Sequence, residues 1–190
     1  MIDIVEIEGI IQTKLSKKRF LHSLGVRDEA KKLAVKYGAN SEKVAIAGLI
    51  HDCCKELTPE QSLELHNEYG LPHDSILMYN TGLLHGPLGA EYARRHFEIN
   101  DEEILSAVRC HTTGKTDMSI MDKILYIADY IEPTRKNYVW LKAMRALAYE
   151  DIDAAVVYGL NISIAHVIEK NEPIYQDTID ARNFYCLPKC

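Results

Sequence analysis

A chain of 190 residues, 47% hydrophobic and 26% charged, holds enough apolar material for one cored domain and little for two, so a single domain over residues 1–190 is expected. No run approaches the roughly eighteen apolar residues of a membrane span, and the acid-bearing start MIDIVEIEGIIQTK does not read as a signal peptide; a cytoplasmic location without a membrane partner is expected. The net charge of −6 argues against a broad nucleic-acid surface.

In chain order, nearly every segment has helical period and helical punctuation, and the expected class is all-α. An amphipathic stretch runs from about Ile4 to Leu15. Ser16 can cap a second helix that turns Phe20, Leu24, Ala30, Leu33 and Val35 inward, and Gly38-Ala39-Asn40-Ser41 reads as a stop followed by a cap. VAIAGLI (44–50) is too apolar for a surface helix and small enough at Ala45, Ala47 and Gly48 for close packing. Thr58-Pro59-Glu60-Gln61 joins a Thr cap, Pro at N1 and Gln at N3, the signature of a helix start, with a stop near Gly70-Leu71-Pro72. A short helix covers Ser75 to Tyr79, and another follows Gly86-Pro87 to about Phe97. Asn100 caps a helix to about His111, and Ser119 one to about Ile131, ended by Pro133. A helix near Tyr138 to Tyr149 precedes a long one from Asp151 to about Lys170. The tail from Asn171, with Pro173 and Pro188, reads as extended.

Five cysteines (Cys53, Cys54, Cys110, Cys186, Cys190) with no CxxC pair fit neither a disulfide framework nor a cysteine zinc site. All five are expected reduced, Cys53 and Cys54 acting as small apolar residues, with only Cys186 and Cys190 placed to cross-link.

Chemistry concentrates where the apolar run 44–50 ends on His51-Asp52. An ionised Asp there is costly unless a cation or a full hydrogen-bond set compensates it, and His plus Asp is a sound ligand set for a borderline divalent metal. An isolated His-Asp dipeptide is weak evidence, since most such pairs are surface helix ends. Four further residues sit in comparable settings: His22 in RFLHSLGV, Asp129 in ILYIADYI, His85 in LLHGPLGA and His111 in VRCHTTGK. Each alone is more simply a core residue bonded to backbone; together a shared metal pocket accounts for all of them. His66 and His73 fall in polar, turn-flanked stretches and read as surface, and His96 and His166 have no comparable setting. Arg19 precedes His22 by three positions and Lys55 follows Asp52 by three, so helical spacing puts each on its neighbour's face.

The order His22 … His51-Asp52 … Asp129 resembles the signature of the HD-domain metal-dependent phosphohydrolases, and the added His85 and His111 resemble their six-ligand subset. AGLIHDCCKEL, LLHGPLGAEYA, IADYIEPTR and DTIDARN together are similar to the YqeK family over about residues 18–183. The resemblance implies a helical bundle with its metal-site core at about 16–135, C-terminal helices and tail at 136–190, and hydrolysis of diadenosine tetraphosphate to two ADP. It implies iron, with Mn, Co, Ni or Zn as substitutes. His22, His51, Asp52 and Asp129 resemble the metal set, one ion or two. His85 and His111 either hold the second ion or contact phosphate and protonate the leaving group. Catalysis then falls to Asp52, Lys55, His85 and His111. Substrate contacts fall to Arg19, Lys55, His85, His111, Thr112, Arg135, Ile174 and Tyr175, the last two folding over an adenine or simply wrapping the domain. Gln176 stands where a proline is expected in this family.

Alternative readings are a nucleotidase or cyclic-nucleotide phosphodiesterase, a diiron oxygenase, and a nucleotide sensor without turnover. Lys55 and Arg135 speak against the oxygenase, and the full ligand set against the sensor. NYVWL, with Tyr138, Trp140 and Leu141, reads as a satellite core or as the patch of a homodimer.

Overall fold

The computed structural model describes residues 3–136 and 138–188, and these form eleven α-helices with no strand among them. They are α1 (Ile4–Lys14), α2 (Lys17–Tyr37), α3 (Ser41–Ile50), α4 (Pro59–Tyr69), α5 (Ser75–Tyr79), α6 (His85–His96), α7 (Glu102–Cys110), α8 (Ile120–Ile131), α9 (Leu141–Glu150), α10 (Ile152–Glu169) and α11 (Gln176–Cys186). A 3-10 turn, Thr81–Leu83, links α5 to α6.

Local chemistry sets most boundaries. Ser16 caps α2 through Oγ and the Arg19 N–H, and Thr58 with Gln61 closes a full capping box behind Pro59. Ser119 and Asp122 make a second such box at the start of α8. Gly38 and Gly70 end α2 and α4 at φ +68° and +64°, a conformation glycine adopts without strain. Asp101 rather than Asn100 caps α7, because its carboxylate is the one that reaches the Glu103 N–H.

Packing follows the expected small residues. α2 lies along α3 and α8, while α7 packs on α3, α6 and α8. A Cβ at Gly48 would sit 2.8 Å from the Arg27 Cα, and one at Gly86 2.7 Å from the Arg109 carbonyl oxygen. Glycine is what lets α3 meet α2, and α6 meet α7, at backbone contact. One apolar cluster joins Ile7 and Ile11 of α1, Leu49 and Ile50 of α3, Leu105 of α7, Tyr126 of α8 and Leu160 of α10.

Further expectations need correction. The tail is not extended: α11 runs over 176–186 and packs on α10 through buried Thr178 and Ala181. Its inner face uses small and polar residues, so an apolar-periodicity criterion passes over it. The helix expected from Tyr138 starts at Leu141, with Tyr138 and Trp140 in the turn before it. Val35 is 78% exposed, because the inner face of α2 passes through Ala30, Leu33 and Ala34. His66 is not on the surface but 4% exposed, with Nε2 3.2 Å from the Pro72 carbonyl oxygen. Finally, α10 has the length and composition of a membrane-crossing helix, with mean hydropathy 1.3; here it packs on α8, α9 and α11. Cys53, Cys54 and Cys110 are buried free thiols and Cys186 an exposed one; Cys190, and with it the expected tail cross-link, lies outside the described residues.

Candidate metal centre

The site lies where helix ends converge. His51 is the C-cap of α3, His111 the C-cap of α7, and His85 the first residue of α6. Each turns its Nδ1 onto the carbonyl three residues back: Gly48 at 2.8 Å, Val108 at 2.7 Å and Gly82 at 2.6 Å. A carbonyl only accepts, so Nδ1 carries the hydrogen and Nε2 faces inward with its lone pair in the neutral ring. The carbonyl ends of α3 and α7 also bring negative dipole charge to the same place, which favours a cation.

His22 comes from mid-helix and is held differently. Its Nδ1 lies 3.0 Å from Oε1 of Glu132, a buried carboxylate just past the end of α8. Pro133 breaks the helix there, and Glu132 also accepts from the Thr134 N–H at 2.6 Å and hydroxyl at 2.7 Å. Arg145 donates to the Ile131 and Glu132 carbonyl oxygens, both at 3.1 Å, and so secures the turn. Gly25 leaves the space: a Cβ there would stand 2.6 Å from Glu132 Oε2. Neither Glu132 nor Arg145 stands out in the sequence; the one signal for Glu132 is the interior glycine three residues after His22.

The inward atoms form one cluster. His22 Nε2 is 3.0 Å from Asp129 Oδ1 and 3.5 Å from Asp52 Oδ2; His51 Nε2 is 3.2 Å from Asp52 Oδ2 and 3.9 Å from Asp129 Oδ1. The other Asp52 oxygen, Oδ1, lies 3.4 Å from His85 Nε2 and 3.7 Å from His111 Nε2. Asp52 therefore spans the two halves of the site, one oxygen to each. His85 and His111 face each other through Nε2 at 3.0 Å, with the Thr112 hydroxyl 3.1 and 3.2 Å away. Two lone pairs at that separation require a proton or a cation between them.

Fit to a divalent ion can be judged from the donors themselves. His22 Nε2 and His51 Nε2 are buried without an aligned hydrogen bond, an expensive state for a polar atom. Two groups, His22-His51-Asp129 and His51-Asp52-His111, each bring one ligand atom per residue within 4.8 Å of one another. Histidine nitrogens and carboxylate oxygens, oriented by outer hydrogen bonds, suit a borderline metal. The four expected primary ligands are thus brought together, with His85 and His111 beside them.

Charge at the site follows from this crowding. Burial opposes ionisation of Asp52, but the imidazoles of His51, His111 and His85 outweigh it and hold the carboxyl well below the usual range. Burial likewise opposes ionised Asp129, and is outweighed by His22 and by the Arg135 charge. For His22, burial alone would lower the pKa; the Asp129 and Glu132 carboxylates beside it raise it to about 9. Burial and the neighbouring His111 and Lys55 push His85 well down. Three cations ring the cluster: Arg19 Nη1 is 2.8 Å from Asp52 Oδ2, Arg135 binds the Asp129 carboxylate and its carbonyl, and Lys55 Nζ is 3.4 Å from His85 Nδ1.

Two cavities flank the His111-Thr112-Thr113 turn. The first, about 670 Å³, is lined by Lys55, His111, Thr112, Asp129 and Arg135 together with Tyr130, Tyr138, Trp140 and the α10 residues Ile162 and His166. His166, unremarkable in sequence, belongs to this wall. The second, about 450 Å³, is lined by His66, Pro72, Arg109, Thr113, Lys115 and Tyr175 among others. Tyr175 is therefore not in the cavity that holds Asp129 and Arg135, and half-buried Ile174 lines neither of the two.

A family model described as the HD domain matches residues 19–134, which contain all the ligand candidates. Over 92% of this chain and 92% of its own length, the symmetrical bis(5'-nucleosyl)-tetraphosphatase of Halalkalibacterium halodurans is 37% identical. The protein of the same description from Bacillus subtilis is 33% identical over 94% and 95% of the two chains. A crystal structure from Clostridium acetobutylicum, described as a predicted HD superfamily hydrolase involved in NAD metabolism, superposes with a TM-score of 0.94 at 39% identity, covering 97% of each chain.

Proposed function

The chain belongs to the HD domain family, and from that premise we propose that it is a metal-dependent hydrolase cutting diadenosine tetraphosphate symmetrically into two ADP. The observation that carries the reading is one cluster of His22, His51, Asp52 and Asp129 with Arg19, Lys55 and Arg135 against it, of which Asp129, Lys55 and Arg135 line the first cavity. A ligand set alone suits many reactions; a ligand set ringed by cations suits a polyanion. The relatives named for symmetrical tetraphosphate cleavage support the substrate class.

His22, His51, Asp52 and Asp129 would hold the metal, and we propose iron. Bound there, a divalent ion supplies positive charge and lowers the pKa of water from ~15.7 to about 7. The chain's own residues do the remaining work. Arg19 and Arg135 stand on the two ligand carboxylates, and planar guanidinium suits bidentate phosphate contact. His85, His111 and the Thr112 hydroxyl form a compact polar edge beside Asp52 Oδ1, suited to phosphate oxygens near the reacting phosphorus. Lys55, whose pKa burial lowers, adds a cation at His85. Attack of water on one of the two central phosphorus atoms breaks the bridging P–O bond. One ADP gains the hydroxyl, and the other leaves with the bridging oxygen.

The test is product analysis by anion exchange after incubating iron-loaded protein with diadenosine tetraphosphate. ADP as sole nucleotide product is expected. AMP together with ATP would overturn symmetrical cleavage.

A further inference from the structure

The first cavity joins two kinds of wall. Lys55, Asp129 and Arg135 make it charged, yet much of the rest is aromatic and aliphatic. Tyr138 and Trp140 stack with ring centroids 5.0 Å apart and planes only 6° from parallel. Tyr130 meets Trp140 edge-on at 5.9 Å, which fixes the indole plane. Ile162 and Ala165 bring the apolar outer stretch of α10 to the same space. Trp140 is half-buried and packs against the core, as a satellite core would have it, while Tyr138 is 50% exposed. A flat aromatic surface left open beside the Lys55 and Arg135 cations, in a cavity whose lining also carries Asp129 and Glu169, matches a nucleotide, whose base offers a π-face whatever its identity.

We propose that the Tyr138-Trp140 wall, with Ile162 and Ala165, is a nucleobase platform, so that the first cavity seats one nucleotide half of the substrate. This rests on the reading of the site as a dinucleoside polyphosphate hydrolase. The platform, reached from Arg135 and Lys55, then discriminates nucleoside-ended polyphosphates from bare ones.

Trp140 is the one tryptophan of the chain, so its fluorescence reports the platform directly. Metal-loaded protein is titrated with ADP and, separately, with inorganic pyrophosphate, and turnover of diadenosine tetraphosphate is measured in parallel. ADP is expected to quench Trp140 and pyrophosphate to leave it unchanged. Because stacking on one aromatic governs binding by roughly 5- to 100-fold, Tyr138→Ala is expected to weaken ADP by that factor while pyrophosphate affinity by calorimetry holds. Trp140→Phe, which keeps an aromatic ring, is expected to weaken ADP less than Tyr138→Ala. Turnover without ADP quenching, with Tyr138→Ala binding ADP as the parent does, overturns the platform. So does loss of ADP affinity in Tyr175→Ala alone, which would put the base in the second cavity. ADP quenching without turnover sustains the platform and overturns the hydrolase reading, and absence of both overturns the two together.

Discussion

At His51 and His111 one ring serves two purposes: Nδ1–H takes a carbonyl that the helix end leaves without a partner, and Nε2 is thereby turned inward. Glu132 performs the same orientation for His22 with a charge rather than a dipole. Partners of this kind, one bond removed from a metal, typically govern affinity by about 10- to 100-fold, so Glu132→Gln is expected to weaken metal by that factor. Chelator competition checks this, and unchanged affinity would remove Glu132 from the site. The same carboxylates raise His22 to about 9, and metal can take Nε2 only from the unprotonated ring. Below pH 9 each ion must displace that proton, so apparent affinity falls about tenfold per unit of acidification and levels off above pH 9. Asp52 and Asp129, held low, add nothing to this slope at neutral pH. Equal affinities at pH 7 and pH 8 would contradict the assignment.

Among elements, the decisive contacts are between helices that carry site residues. α6 brings His85 and α7 brings His111, and their 3.0 Å meeting depends on Gly86 lying against the Arg109 carbonyl. Gly86→Ala forces that backbone apart, at a cost of about 1–3 kcal/mol or more in urea unfolding, and separates the two imidazoles. Gly9→Ala is the contrast: nothing lies within 4 Å of its Cβ position inside α1, and a gain of about 0.5–1 kcal/mol is expected. A loss of stability at Gly9 as large as at Gly86 would show that crowding is not the cause.

Over the whole molecule, the parts legible in sequence were those with strong local chemistry. Capped starts at Ser16, Thr58, Ser119 and Asp151, the stops at Gly38 and Gly70, and a His or Asp ending an apolar run all carry short-range signals. Glu132, Arg145 and the Tyr138-Trp140 wall were not legible, because they become site residues only after Pro133 turns the chain and α9 and α10 dock. α11 carries no apolar period, because its buried face is Thr178 and Ala181 rather than large apolar residues. Distance along the chain also governs when the metal centre can exist at all. His22 and Asp129 are more than half the chain apart, and their helices meet through contacts that carry a high loop-closure entropy. The ligand set is therefore expected to assemble late on the folding route, after its helices have docked. An ion bound there holds the native state without helping the chain reach it: stripping the metal should speed unfolding and leave the refolding arm of the chevron where it was. A refolding rate that rises with metal would instead mean that the ion gathers its ligands from a largely open chain.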